Sequence, residues 1–251
     1  MLGLIDQIMF LCIVALGCYT QAITGFSLGL ILVSLSALFS LMSIELASIV
    51  VSLISIANTG LALIRSGCHV RWRMVTAVLV TGIPATYAGV VLLEHMSESS
   101  HSLLRLLLGI TIIGSSLLLV LNPRTLARES GLWSFGGLGA IAGLLGGMFA
   151  AFGAPLIFQF YRQPMKIVHI RDSLLLIFFL VSIARVGFLL VKDAIPQEAY
   201  VQALIALPIT LAFTVLGGKL PPIFSDLGMR RLAFSILMLA GIGMMIPDLS
   251  G

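Results

Sequence analysis

Two glycine-bearing stretches and one arginine carry what chemistry this chain has. The first stretch reads Gln21-Ala22-Ile23-Thr24-Gly25-Phe26-Ser27-Leu28-Gly29. The second runs from Gly143 through Gly146, Gly147, Phe152 and Gly153 to Pro155. Glycine admits left-handed backbone angles and proline cannot donate its amide, so a helix stops in each stretch and a fresh one starts beyond it. The first amides of a restarted helix point into the break with the positive end of the helix dipole, which binds an anion without a fixed charge. Gln21, Thr24 and Ser27 add side-chain donors. Arg185 stands inside an apolar run, about 9 Å from its end by helical rise. An arginine at that depth faces a cavity or a partner, or else snorkels to the headgroups. Ser182 lies one turn earlier on its face. Ser52, Ser55, Asn58 and Thr59 make a comparable polar stripe earlier in the chain.

These residues define an expected substrate-binding set: Gln21, Thr24, Gly25, Phe26, Ser27, Asn58, Gly147, Phe152, Gly153, Ser182 and Arg185. The competing reading is structural. Glycines also let helices pack closely, and serines often bond only their own backbone.

The elements that must position this set are membrane helices. Of 251 residues, 59% are hydrophobic and 10% charged, and the mean hydropathy is +1.16. That composition describes an all-α polytopic membrane protein. Six runs read as single spans: Ile44–Ile64, Trp72–Leu93, Leu103–Leu121, Ile167–Val191, Gln197–Leu216 and Leu232–Ile246. Two more, Leu4–Ser40 and Leu132–Tyr161, have the wrong length for one helix and contain the breaks. Lysine and arginine decide how these two run, because cytoplasmic loops carry an excess of both. If each broken run returns to the face it left, Arg65, Arg71, Arg73, Arg124, Arg128, Arg162, Lys166, Arg171, Lys219, Arg230 and Arg231 share one side. If each crosses once, the charges divide almost evenly. The asymmetry selects hairpins, with the basic face cytoplasmic and both termini outside. Whether the hairpins are shallow or cross fully stays open, since both have the same parity.

Sliding the chain by 124 residues brings Gly29 onto Gly153, Asn58 onto Ser182, Pro84 onto Pro208 and Thr86 onto Thr210. Each half then holds a broken hairpin and three spans, an odd number, so the halves are inverted in the membrane. The expected division is residues 1–122, a cytoplasmic linker 123–131, and residues 132–251, together one membrane domain. Pro84 and Pro208 are expected to kink their helices.

Other function classes fall away. The formal charge of +4 is accounted for by loops facing anionic lipid, so no nucleic-acid role is read. Cys12, Cys18 and Cys68 show no metal spacing and read as small buried hydrophobes. The four histidines are dispersed. No Walker, nucleophile-elbow or zincin signature occurs, and neither a catalytic site nor a cofactor is expected. Asp172, beside Arg171, is either in a local ion pair or part of a gate. The first run lacks a basic leader and reads as a retained helix.

Gln21-Ala-Ile-Thr-Gly-Phe-Ser-Leu-Gly-Leu-Ile-Leu-Val, Phe152-Gly-Ala-Pro-Leu-Ile-Phe and Phe179-Leu-Val-Ser-Ile-Ala-Arg185 resemble the sulfite exporter TauE/SafE family of bacterial membrane proteins. The similarity extends from about Gly17 to Met245. It implies a transporter in the cytoplasmic membrane exporting sulfite, sulfoacetate or a related organosulfonate, its partners being that small anion and the bilayer. Homo-oligomerisation is left open. Family members often carry glycine or proline where this chain has Ser27 and Ser34, which bears on the shape of the first break. The alternatives are an ion-coupled importer of a sulfur-containing anion and a membrane scaffold without a solute path.

The topology has a direct test. In a background lacking the native cysteines, Ser66→Cys and Ser130→Cys should resist impermeant thiol reagents in intact cells, and Ser97→Cys should label. Labelling of Ser66→Cys from outside would reverse the orientation.

Overall fold

The computed structural model describes residues 3–99, 101–120, 125–152 and 154–219. Within them the chain is helical: α1 (Leu4–Thr24), α2 (Leu28–Leu38), α3 (Ile44–Ser66), α4 (Trp72–Ser99), α5 (His101–Val120), α6 (Leu132–Phe149), α7 (Ala154–Tyr161), α8 (Ile167–Val191) and α9 (Gln197–Lys219). Among the described residues, α1, α3, α4, α6, α8 and α9 are long and apolar enough to cross a membrane. The expected span Leu232–Ile246 lies outside the described residues.

Both broken runs are hairpins with one long arm and one short arm. α1 has 21 residues and α6 has 18, close to the roughly 20 needed to cross the hydrocarbon. Their return arms, α2 and α7, have 11 and 8 residues. Leu28 starts α2 beside Gly17, so close that a Gly17 Cβ would lie 3.4 Å from the Leu28 Cα. The chain therefore turns back along α1 and does not continue past it. α2 then delivers the chain to Leu41, Met42 and Ser43, which line a cavity together with Gln197 and Gln202. Gln7, at the start of α1, donates from Nε2 to Gln202 Oε1 at 3.1 Å. The first run thus leaves from and returns to one end of the bundle.

The second run does the same at the other end. Leu126 N–H donates to the Arg162 carbonyl at 2.8 Å, and Ser130 N–H to Gln163 Oε1 at 2.9 Å. Glu129 reaches Arg71 at 3.7 Å, which fixes this end as the one where α3 finishes. Arg65, Arg71, Arg162 and Arg171 gather there. Lys192 and Glu94 pair at the opposite end, where the hydrogen bond to Glu94 holds the Lys192 ammonium above its ordinary range.

Local signals explain the helix limits. Ser43 caps α3, its Oγ accepting from Leu46 N–H at 3.1 Å, and Gly67 closes α3 with φ +80. α4 and α9 continue through Pro84 and Pro208. Two residues past the first proline, Thr86 donates its hydroxyl to the Gly82 carbonyl at 2.7 Å. Of the cysteines only Cys18 is buried. Cys12 and Cys68 are exposed, because Cys12 lies on the outward side of α1 and Cys68 in the α3–α4 loop.

α3 runs through the middle of the bundle against α8 and α9, and α4 lies along α6. The α4–α6 seam is built on small residues. A Cβ at Gly143 would strike the Gly82 carbonyl, and one at Gly147 the Thr86 carbonyl. Backbones meet here as they do in small-xxx-small membrane contacts. Gly143→Leu should therefore cost about 1–3 kcal/mol by overpacking, lowering the melting temperature of the detergent-purified protein. Gly137→Ala, at a position with nothing within 4 Å, should leave it nearly unchanged.

Candidate functional site

The two breaks meet. They enclose a cavity of about 20 Å³ lined from the first by Gln21, Ser27, Gly29 and Leu30, and from the second by Ala150, Ala151 and Phe152. α3 contributes Val51 and Ser55, and α8 contributes Phe178 and Ser182. The volume corresponds to one or two water-sized positions. This is a small pocket among buried residues, with polar side chains from three helices and the first return turn.

Each break is shaped by residues in the left-handed region. α1 ends on Gly25 at φ +83, whose N–H bonds the Gln21 carbonyl at 2.8 Å. Ser27, capping α2, stands at φ +104, a strained angle for a residue with a Cβ. Its hydroxyl donates to Thr20 Oγ1 at 2.7 Å and holds the turn. A glycine would adopt that angle without strain. α6 closes on Ala150 at φ +52, with its N–H on the Gly146 carbonyl at 2.9 Å. Phe152 then folds back over Gly146, where a Cβ would overlap its ring, and stacks on Phe178 with centroids 6.3 Å apart. The breaks touch through backbone as well: a Cβ at Gly29 would collide with the Ala150 carbonyl.

Arg185 is fully buried and does not snorkel. Its Nε donates to the Gly147 carbonyl at 2.9 Å. One terminal nitrogen donates to the Ser48 carbonyl at 2.8 Å and to Ser52 Oγ at 2.6 Å. The other donates to Ser48 Oγ at 2.8 Å. Gly147 belongs to the last turn of α6, whose carbonyls lose their helical partners at the break, so the guanidinium caps that end and ties it to α3. It sits one turn behind Ser182 and does not line the cavity.

The structure thus gathers Gln21, Ser27, Phe152 and Ser182 around one space and leaves others of the expected set beside it. Asn58, fully buried, donates from Nδ2 to Gln21 Oε1 at 2.7 Å, and Thr214 of α9 bonds its Oδ1. Asn58 is a support for Gln21. Gly25 packs on the Arg171 backbone, 3.3 Å from a Cβ placed on it, and Gly147 packs on α4. Phe26 is core. The Thr24 side chain and Gly153 lie outside the described residues.

The model of the family described as Sulfite exporter TauE/SafE matches residues 9–244. The chain belongs to the sulfite exporter TauE/SafE family. A protein of Cupriavidus necator named as a probable sulfite/organosulfonate exporter TauE is 41% identical over 234 residues, covering 93% of this chain and 91% of that protein. No solved structure matches the chain.

For this TauE/SafE chain, sequence reasoning missed Phe178 and an inner cluster on α8. Phe178, Ser182 and Arg185 recur at the helical spacing of four and three, so the face was readable. The cluster was not. Asp172, fully buried, accepts from His69 N–H at 2.8 Å and lies 3.4 Å from His69 Nδ1. His169 Nδ1 bonds the His69 carbonyl at 3.0 Å, and Ser173 Oγ accepts from Arg71 N–H at 3.0 Å. These contacts join residues about a hundred positions apart, and no local pattern announces them.

The strained cap yields an ordering. Ser27→Ala keeps the Cβ at φ +104 and loses the bond to Thr20, so it should melt below wild type. Ser27→Gly removes the strain, of order 1–3 kcal/mol, and should melt above the alanine variant. Equal melting of the two variants would contradict the strained geometry.

Proposed function

We propose that this chain is a secondary transporter or uniporter that exports a small sulfur-containing anion, sulfite or a small organosulfonate, across the bacterial cytoplasmic membrane. The observation that carries the reading is the convergence of both helix breaks on one cavity whose polar lining is Gln21, Ser27, Ser55 and Ser182. Irregular backbone at membrane depth is tolerated where it lines such a space. The name of the Cupriavidus necator relative supports the substrate class.

In this reading the two halves are inverted repeats, and the hairpins enter from opposite faces with both termini outside. The offset of 124 residues sets Ser27 on Ala151, and both line the same cavity. Once the lining widens beyond the one or two water-sized positions it holds here, Gln21 and the hydroxyls of Ser55 and Ser182 donate to the anion, Ser27 bounds it with its oxygen, and the helix-start amides of α2 and α7 add their dipoles. Arg185 contributes its field from behind Ser182. Export of one negative charge from an inside-negative cell is downhill by about 2.3 kcal/mol per 100 mV, so a uniporter suffices. No catalytic role is assigned to any residue.

Reconstituted protein should release sulfite or methanesulfonate from proteoliposomes at a rate that rises when the interior is made negative. Ser182→Leu fills the cavity and should reduce that flux at least tenfold in protein that still folds, overpacking costing about 1–3 kcal/mol of stability. Normal flux in a folded Ser182→Leu protein would place the solute path elsewhere, and absence of flux for every sulfur anion would favour a scaffold.

A further inference from the structure

We infer that the cavity selects anions by charge state and takes a monoanion, hydrogensulfite or a small sulfonate, while excluding doubly charged sulfite and sulfate. This deepens the proposed function and rests on it. The first ground is the lining. Among the described residues that form it, the polar ones are Gln21, Ser27, Ser55 and Ser182, all uncharged, and the remainder are glycine, alanine, aliphatic or phenyl groups. Neutral donors can hold one delocalised charge. A second charge in so apolar a space requires a fixed counter-charge to replace the water it gives up.

The second ground is where the positive charge sits. Arg185 lies on the same face as Ser182, but its Nε and both terminal nitrogens are committed to Gly147, Ser48 and Ser52. It reaches the cavity only through its field. At most one positive charge is therefore set against the solute, which a monoanion balances and a dianion exceeds.

The third ground is the direction of the hydrogen bonds. Thr20 donates its hydroxyl proton to the backbone carbonyls of Leu16 and Gly17, at 2.8 and 3.0 Å. A carbonyl only accepts, so the proton between Ser27 and Thr20 comes from Ser27. Ser27 then offers the cavity oxygen lone pairs. A bare oxyanion edge is repelled there, whereas the proton of hydrogensulfite or the methyl group of methanesulfonate is not. Gln21 has the complementary role: its Oε1 accepts from Asn58, which leaves the amide N–H groups for the anionic oxygens. Donor and acceptor together fit an anion with one end charged and the other not.

The test is flux in proteoliposomes at a total anion concentration well below saturation, with protein-free liposomes subtracted. Sulfite passes from monoanion to dianion near neutral pH, methanesulfonate stays a monoanion, and sulfate stays a dianion. Sulfite flux should fall about tenfold per pH unit above that dissociation, following the monoanion fraction by proton linkage. Methanesulfonate flux should change little over the same range, and sulfate should neither move nor compete. Sulfite flux that stays level while methanesulfonate flux is intact would overturn the charge selection and leave transport standing, as would competition by sulfate equal to that by methanesulfonate. Absence of flux for all three anions would remove the transport reading and this inference with it.

Discussion

A backbone amide or carbonyl stripped of its helical partner inside a bilayer costs several kcal/mol unless protein or a wet space receives it. The rest of this structure follows from that constraint. Two helices stop deep in the bundle, and each stop exposes such groups. The last turn of α6 is received by Arg185, whose Nε takes the Gly147 carbonyl. The turn after α1 is received by its own residues, Gly25 bonding Gln21 and Ser27 bonding Thr20. The remaining open edge of both breaks faces one cavity. Burial of an arginine is expensive, and here it is offset by placing every guanidinium nitrogen on an acceptor and the charge at the negative end of a helix.

The same arginine is one of two pins between α3 and α8. Near the end where α1 and α3 begin, Arg185 of α8 holds Ser48 and Ser52 of α3. At the other end, Asp172 and Ser173 of α8 hold the backbone of His69 and Arg71 just past α3. The cavity lies between the two pins. Any opening of the site that separates α3 from α8 at one end must break the pin at that end, while the other can persist.

Much of this was legible in the sequence. Glycine and proline placement located both breaks, and the basic residues selected hairpins over single crossings, as the pairing of Leu126 with Arg162 bears out. Gln21 and Ser27 were legible as polar residues of the first break, and Ser182 by its helical spacing from Arg185. Other features depend on geometry that sequence does not encode. The long arms have 21 and 18 residues and the short arms 11 and 8, an asymmetry that parity alone could not distinguish. Gly147 reads as a break residue but serves the α4 seam, because the helix continues to Phe149 and places that glycine against the Thr86 backbone. Arg185 reads as an anion ligand because it is a lone cation in an apolar helix. Its actual partners are a carbonyl 38 residues away and two serines more than 130 away.

The central claim is that residues from both breaks and from α8 face one solute-binding space. It is tested most directly by single cysteines at Ser27, Ala151 and Ser182, each in a background lacking the native cysteines, with maleimide labelling followed in membranes with and without methanesulfonate. The account predicts that the anion slows labelling at all three positions with a common half-maximal concentration. Protection at one position alone, or unchanged labelling at all three while flux continues, would contradict it.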